Sequence, residues 1–537
     1  MPALRNIKYA LLVAFVAAIL YLPILSADFV YDDILQIKID PYIHQPQHFA
    51  DVLSLKVMTH GVIDNNRPIN LLSLMLDSLL WGMAPCGYHL TNLLLHSLCS
   101  AMVFVLLYAF LKRTGARKEQ EVGPLWAAFI GAILFAIHPI NSEAVSVIAF
   151  REDLLATFFT MLVLILAERF PAERKIVNIL LGGAIVISVF AAVAAKENGM
   201  IAPFFLLLYW LIVRKTVQWR KWAILVAAGF VVTLTFMIVR FISVPTLAYA
   251  DVQKASYLGG SFSRMLTIQP RIWLYQLLEL FWPSLMCADP GGYSIRNISL
   301  AMAIIALSIV SIAAIILGRK NIIFALGAIF FAVSMLPTSN FIPIYWPIAD
   351  RYLYLPMFGL SVALGAIICR LVIKKILLRI FLIIAGFIIG LHLCCFTVER
   401  ELVWHNSLSL WQDTVNKNPY SFVGSFSLGF AFFNKGDYQQ ALSAFTDASE
   451  LNPYKSEVKA ALAMTSDVLG RTDDAEEFFE KAVSLNNPDG SSDKLINSLL
   501  WTHSQIKKLQ IIADRISAKK NGDPNIVQLL EKTGAKE

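Results

Sequence analysis

The sequence predicts an all-α polytopic membrane protein of about 11 transmembrane helices, followed by a C-terminal domain of helical repeats. Apolar residues make up 57% of the 537 residues and charged residues only 15%, a balance that soluble domains rarely show. Apolar runs of about 18 or more residues recur, each long enough to cross a bilayer. The last part of the chain is more polar and repeats itself at an interval of 34 residues.

Basic loops between the apolar runs predict the orientation. Lys and Arg cluster in alternate loops, for example at 112–118 and 214–221, and such loops stay in the cytoplasm. The amino terminus is then cytoplasmic and the carboxy-terminal tail lies outside. The composition is typical of bacterial proteins, so we expect the inner membrane, with the active site and the repeats periplasmic. The spans are predicted near residues 9–27, 90–111, 124–138, 154–168, 176–195, 200–213, 222–243, 299–317, 322–336, 353–372 and 377–397.

Two segments do not fit this pattern of spans. Residues 264–286 contain Pro270 and Glu279, and counting them as a span breaks the charge alternation. We predict an interfacial or re-entrant helix there, and whether these residues cross the membrane stays open. Residues 68–83 are interrupted by Asp77 and predict a helix at the membrane surface. The predicted domains are a membrane domain at 1–397, with outer loops 28–88, 244–298 and 337–352, and an extracytoplasmic repeat domain at 398–537.

The repeat identifies the kind of helical domain. Gly436 matches Gly470 and Phe445 matches Phe479 at the same offset, which are the small and aromatic positions of a tetratricopeptide helix pair. Two interpretations stay open: a rigid spacer, or a concave surface that binds protein or peptide. The clear repeats are predicted at 422–455 and 456–489.

Charge and cysteine content exclude several classes of protein. The net charge of +7 is spread over loops, without the basic stripe and interleaved aromatics of a nucleic-acid binder. The six cysteines show no metal-ligand spacing, so we expect no metal. Cys86 and Cys287 both fall in predicted outer loops, where they could form a disulfide.

An acidic stretch, "DFVYDD" at 28–33, directly follows the first span. Asp32 and Asp33 are therefore placed close to the lipid–water interface. A carboxylate there can act as a general base if it is held against an acceptor hydroxyl. The alternative is a solvated acidic loop.

Two further polar groups lie at span ends, where ionisable residues are functional candidates. His89, Asn92 and His96 share one helical face and are either site residues or interior packing. The other group, within 138–156, is either an ion-pair cluster that fixes helix ends or a second wall of the site, with Arg151 facing a phosphate. Its members are His138, Glu143, Arg151, Glu152 and Asp153.

Isolated cations end two apolar runs on the outer side: Lys196 in "AAKENG" and Arg351 in "IADRYLYLP", beside Tyr352. Both suit phosphate binding, and the alternative is snorkelling to lipid headgroups. Carboxylates, cations and aromatics on one membrane face suit a polyprenyl-phosphate sugar, whose leaving group gains negative charge. No nucleotide-phosphate loop occurs, and we expect no cofactor.

The chain resembles the transmembrane and tetratricopeptide-repeat O-mannosyltransferases, and more widely the GT-C glycosyltransferases that use polyprenyl-phosphate sugars. The resemblance covers nearly the whole chain and rests on the order of its motifs. These are "DFVYDD", "NNRPINLLSLMLDSLLWGMAPCGYHLTNLLLH", "HPINSEAVSVIAFREDLL", "AAKENG", "DRYLYLP" and the tail from "VWHNSLSLW".

The resemblance implies inverting transfer of mannose to Ser or Thr hydroxyls outside the cytoplasm, with the repeats on the same side as the site. It implies Asp32 and Asp33 as the catalytic pair, without saying which is the base. Arg351, Lys196 and Arg151 are the expected phosphate ligands. The residues expected to bind substrate or support the site are Arg67, His89, Asn92, His96, His138, Glu143, Asp153 and Tyr352.

Two departures from the family pattern leave the acceptor open. Phe150 stands where the family usually has Gly, and only two repeats are clear. A lipid or glycan acceptor, or an oligosaccharide ligase, is the alternative enzyme, although the loop at 337–352 is short for a ligase. A membrane-anchored repeat scaffold without activity is the alternative of another class. A transporter is disfavoured because no matched pair of interrupted spans occurs in two halves.

Overall fold

A computed structural model describes residues 6–60, 62–113, 122–213, 218–243, 257–370, 376–486, 491–499, 501–521, 523 and 526. Regular secondary structure within these ranges is helical throughout. The chain forms two compact units: Met1–Met286 with Ile295–His405, and Cys287–Ser294 with Asn406–Glu537. We call them the membrane unit and the repeat unit. The last membrane helix continues to Val403, and the division into domains at 1–397 and 398–537 stays a prediction.

A helix lies over each of the eleven predicted spans of the membrane unit, since long apolar stretches without interior breakers favour continuous helix. The α-helices of this unit are α1 (Ile7–Leu20), α2 (Phe49–Leu53), α3 (Pro68–Trp81), α4 (Pro85–Arg113), α5 (Val122–Ile137), α6 (Ser142–Ser146), α7 (Arg151–Ala167), α8 (Lys175–Ala195), α9 (Ala202–Val213), α10 (Trp219–Ser243) and α11 (Phe262–Glu279); after α12, which belongs to the repeat unit, follow α13 (Leu300–Lys320), α14 (Ile322–Ser334), α15 (Tyr354–Arg370) and α16 (Ile376–Val403).

Fewer of these helices are long and apolar enough to cross a membrane than the sequence predicts. Among the described residues six meet that requirement, or up to seven if the bent pair at Gly123–Ile137 and Pro139–Ser146 is one span. The protein is therefore a multi-span membrane protein, but the count of about 11 is not confirmed. An apolar run in the sequence can continue through a turn, whereas a membrane span needs a continuous helix. The apolar run after α1, for example, continues as a 3₁₀ turn at Leu22–Ser26.

The two atypical segments are both helical. Helix α3 buries Asp77 and exposes Leu79 and Leu80. Helix α11 contains Pro270 and is not one of the six span-forming helices, and Trp282 just beyond it is 64% exposed. The interfacial placement of both segments stays a prediction.

The repeat unit consists of paired helices, as the 34-residue interval predicts. Gly436 ends the first helix of its repeat with a φ of 86°, and Gly470 does the same in the next with a φ of 76°, a conformation that favours glycine at helix ends. The structure contains no disulfide between Cys86 and Cys287, a pairing that the sequence left open. The helices are α12 (Gly291–Ser294), α17 (Ser407–Lys417), α18 (Phe422–Lys435), α19 (Tyr438–Leu451), α20 (Ser456–Val468), α21 (Thr472–Asn486), α22 (Ser492–Ser498) and α23 (His503–Asn521).

Helices α14 and α15 approach each other through two glycines. A Cβ atom on Gly327 would lie 2.7 Å from the carbonyl oxygen of Gly359, and one on Gly359 would lie 2.3 Å from the backbone nitrogen of Phe331. Small residues allow such close contact between membrane helices.

We therefore expect Gly359→Ala to lower the thermal unfolding midpoint of the detergent-solubilised protein. The added methyl group meets backbone, which cannot rotate away, and overpacking of this kind costs about 1–3 kcal/mol. Gly386→Ala in α16 is the matched control, since nothing lies within 4 Å of its added Cβ atom. An unchanged midpoint for Gly359→Ala would contradict this close packing.

Candidate functional site

The stretch "DFVYDD" forms a tight turn after the first apolar run. The Asp28 N–H donates to the His405 carbonyl oxygen over 2.9 Å. Tyr31 adopts a left-handed backbone with a φ of 55°, which is unfavourable for a bulky residue and is found where the surroundings enforce it. Its ring is held by Phe150 at 5.5 Å and Trp404 at 6.2 Å between ring centroids.

Asp33 is fully buried and anchors this turn. Its Oδ1 accepts the Ala149 N–H over 2.7 Å, and its Oδ2 accepts the Val30 N–H over 3.2 Å. Burial raises the pKa of Asp33 to about 7, although these backbone N–H groups act in the opposite direction. Both carboxylate oxygens are thus engaged with backbone.

Asp32 lies in a different environment although it is the adjacent residue. The side chain is half-buried, and no hydrogen bond to its carboxylate occurs within the described part of the chain. Burial raises the pKa of Asp32 to about 7, opposed by the positive charge of Arg351 and assisted by Asp64 and Glu152. Asp32 is therefore the carboxylate that is available to take up a proton near neutral pH.

Arg351 is fixed beside this turn by the buried segment 138–153. Its guanidinium forms an ion pair with Glu143, whose other oxygen accepts the Arg351 backbone N–H over 2.8 Å. The guanidinium also lies 3.9 Å from the ring centroid of Phe150, a cation–π contact. Its buried Nε–H has no hydrogen-bond partner within the described ranges, so one strong donor remains for a ligand.

Lys196 and Arg67 belong to an ion-pair network rather than to the lipid surface. The Lys196 ammonium lies 2.8 Å from Glu152 and 2.6 Å from Asp153, and 5.5 Å from the ring centroid of Tyr352. Arg67 lies 2.5 Å from Glu152.

The network continues through three residues that the sequence analysis missed: Asp64, Glu197 and Arg240. Arg67 contacts Asp64 at 3.0 Å and Glu197 at 3.3 Å, and Arg240 also pairs with Glu197. Burial of Glu197 is outweighed by Arg240, Arg67 and Lys196, which hold the pKa of that carboxyl well below its usual range. Glu197 stands beside Lys196 in "AAKENG", and Arg240 interrupts an apolar run. Ionisable residues at such positions are functional candidates in a membrane protein, so the sequence could have indicated both.

Arg151 occupies a different position from the predicted one. It is fully buried and lies 2.6 Å from Asp77. It donates to Asn92 Oδ1 over 2.6 Å, to Ser73 Oγ over 2.9 Å and to the Tyr88 carbonyl oxygen over 2.8 Å. This pairing does not favour phosphate binding by Arg151, because its charge and donors are already used within the protein. Its assignment as a phosphate ligand stays a prediction.

The histidines pack inside the membrane unit. His96 contacts the Tyr354 hydroxyl at 2.9 Å and the Ala136 carbonyl oxygen at 3.2 Å. His138 contacts the Leu280 carbonyl oxygen at 3.0 Å, and His89 is fully buried. These contacts favour interior packing for His96 and His138, whereas neither ring nitrogen of His89 has a hydrogen-bond partner among the described residues. Tyr352 donates to the Trp346 carbonyl oxygen over 2.8 Å and borders the ion-pair network.

Comparisons with known proteins agree with the repeat and with the resemblance. The tetratricopeptide repeat family model matches residues 433–495. Relatives include the protein O-mannosyl-transferase F38B6.6 of Caenorhabditis elegans, 26% identical over 84% of this chain and 63% of the relative. Human protein O-mannosyl-transferases TMTC3 and TMTC4 are 23% and 24% identical over 89% and 80% of this chain, and 55% and 65% of their own lengths.

The chain spans less than two thirds of the length of each of these relatives. Among solved structures, ArnT from Cupriavidus metallidurans bound to undecaprenyl phosphate is 13% identical with a TM-score of 0.37, over 88% of this chain and 80% of its own. A TM-score of that size does not establish a common fold. The resemblance to the transmembrane and tetratricopeptide-repeat O-mannosyltransferases is confirmed by the curated relatives.

Proposed function

We propose that the protein is an integral-membrane glycosyltransferase. It moves a monosaccharide, mannose, from a polyprenyl-phosphate donor to Ser or Thr hydroxyls of a protein outside the cytoplasm. One observation carries the proposal: Asp32 is a half-buried carboxylate that accepts no hydrogen bond from the described residues, with a pKa of about 7, close to the positive charge of Arg351. The names of the relatives supply the sugar and the class of acceptor.

Asp32 is the general base in this mechanism. A hydroxyl is a poor nucleophile until its proton is removed, and a base with a pKa near the working pH does this efficiently. As Asp32 takes the proton, the acceptor oxygen bonds to the anomeric carbon on the face opposite the phosphate. The bond from that carbon to the phosphate oxygen breaks and its electron pair leaves with polyprenyl phosphate, so that the sugar configuration inverts.

Arg351 stabilises the leaving phosphate. The negative charge on the phosphate increases as the glycosidic bond breaks, and a preorganised cation stabilises that charge most in the transition state. Its unpartnered Nε–H is the donor for this contact, and Glu143 with Phe150 fixes the orientation. Lys196 contributes less, because two carboxylates already surround its ammonium.

The remaining features concern placement and partners. The basic loops support a site on the extracytoplasmic face of a bacterial inner membrane. In this proposal the repeats hold the acceptor polypeptide on the same side. The donor brings its own activated bond, so the mechanism uses no resident cofactor. Among the described residues no group of three His, Cys, Asp or Glu side chains is placed to hold a metal ion.

Asparagine variants of the two aspartates separate catalysis from folding. In lipid nanodiscs with polyprenyl-phosphate mannose and Ser/Thr peptides, we expect Asp32→Asn to reduce transfer about 10²–10⁴-fold, with donor binding and the unfolding midpoint retained. Asp33→Asn, the matched variant, should lower the unfolding midpoint, because its amide group faces a backbone donor. Product is scored by mass. Full transfer by Asp32→Asn would exclude Asp32 as the base, whereas no transfer and no donor binding by wild type would favour the scaffold.

The pH profile provides an independent measurement. The base must be deprotonated, so kcat/KM should rise with pH through an apparent pKa of about 7. The donor is a phosphodiester that stays ionised in this range, so the titrating group belongs to the protein. A profile that stays flat across neutral pH would exclude Asp32 in this role.

A further inference from the structure

The end of the last membrane helix contacts both pieces of chain that form the proposed site. Thr397 in α16 donates to the Ile137 carbonyl oxygen over 2.7 Å. Beyond the helix, the His405 carbonyl oxygen accepts the Asp28 N–H over 2.9 Å. Residues 397–405 thus hold the start of the segment 138–153 and the start of "DFVYDD".

Glu401 makes the central contact of this group. It is 2% exposed, and its two carboxylate oxygens lie 3.0 and 2.9 Å from the Ser146 hydroxyl, which donates to them. Glu401 therefore fixes Ser146 at the end of the short helix α6 (Ser142–Ser146).

Ser146 leads directly to the group that orients Asp33. Three residues later, the Ala149 N–H binds Asp33 Oδ1, and the intervening backbone turns through the short 3₁₀ helix Ile148–Phe150. The same α6 carries Glu143, which pairs with Arg351. A displacement of α6 would therefore move the Asp33 anchor and the phosphate ligand together.

We propose that Glu401 is a positioning residue of the transfer reaction, holding Ser146 so that α6 keeps the Asp32 turn and Arg351 in register. This inference rests on the proposed function. In this role the side chain at position 401 must accept the hydrogen bond from Ser146. It need not be charged, and it does not touch the substrate. A misplacement of about 1 Å is enough to reduce turnover about 10²-fold.

The test compares Glu401→Ala, Glu401→Gln, Ser146→Ala and the double Ala variant in nanodiscs. We expect Glu401→Ala to lower kcat about 10- to 100-fold without changing the KM for polyprenyl-phosphate mannose. Glu401→Gln keeps an acceptor oxygen and should recover most of kcat. The double variant should be no slower than the slower single variant, because both substitutions break one contact. Leu402→Ala, at a side chain 58% exposed, is the matched control.

Hydrogen exchange, read by mass spectrometry, distinguishes a failure of the positioning role from a failure of the proposed function. Glu401→Ala should increase exchange of peptides that cover 26–33 and 142–150. If wild type transfers no sugar while this exchange increases, the contact holds and the proposed function fails. If Glu401→Ala leaves both exchange and kcat unchanged, or if Glu401→Gln is as slow as Glu401→Ala, the positioning role is overturned. Should Glu401→Ala not fold, Ser146→Ala decides by the same measurements.

Discussion

The site depends on the requirement that a buried carboxylate be hydrogen-bonded. Asp33 meets it by accepting the N–H groups of Val30 and Ala149, because an unpaired charge in a dry interior costs several kcal/mol. This contact joins the first outer loop to the segment 138–153, which is buried throughout. Tyr31 next to this anchor has a left-handed backbone, and the carboxylate of the following Asp32 accepts no hydrogen bond from the described part of the chain.

The need to compensate buried charges also explains how so many ionised side chains lie close together around the site. Glu143 neutralises Arg351, Glu152 bridges Lys196 and Arg67, and Asp77 neutralises Arg151. Each pair removes an uncompensated charge from a low-dielectric environment, where electrostatic interactions are strong. Some polar atoms of this cluster keep no hydrogen-bond partner among the described residues, including the Nε–H groups of Arg67 and Arg351. The Asp32 carboxylate and the Nε–H of Arg351 are the two that the proposed reaction uses. A transferase needs these two functions, one to receive a proton and one to face the departing phosphate.

The sequence was sufficient for the helices but not for the division of roles. Apolar runs predict helices because their signal is local, and every predicted span contains one. Asp32 and Asp33 are indistinguishable in sequence, since the group that separates them is the Ala149 N–H, 116 positions away from Asp33. Arg151 and Arg351 are equally hard to tell apart in the sequence, because each follows a mostly apolar stretch. Only the fold shows that Arg151 forms an ion pair with Asp77. Long-range pairing carries no periodic signal in a single chain.

Adjacent carboxylates with separate tasks have a physical advantage over a single one. The anchor must be held by hydrogen bonds to both of its oxygens, as the N–H groups of Ala149 and Val30 do for Asp33. The proposed base must instead keep an oxygen open for an acceptor hydroxyl. Burial raises the pKa of both carboxyls to about 7, so access to the carboxylate, rather than its basicity, distinguishes the two residues. Placing them on neighbouring residues, directly after Tyr31 in its left-handed conformation, lets the anchor define the position of the proposed base while the oxygens of that base stay open.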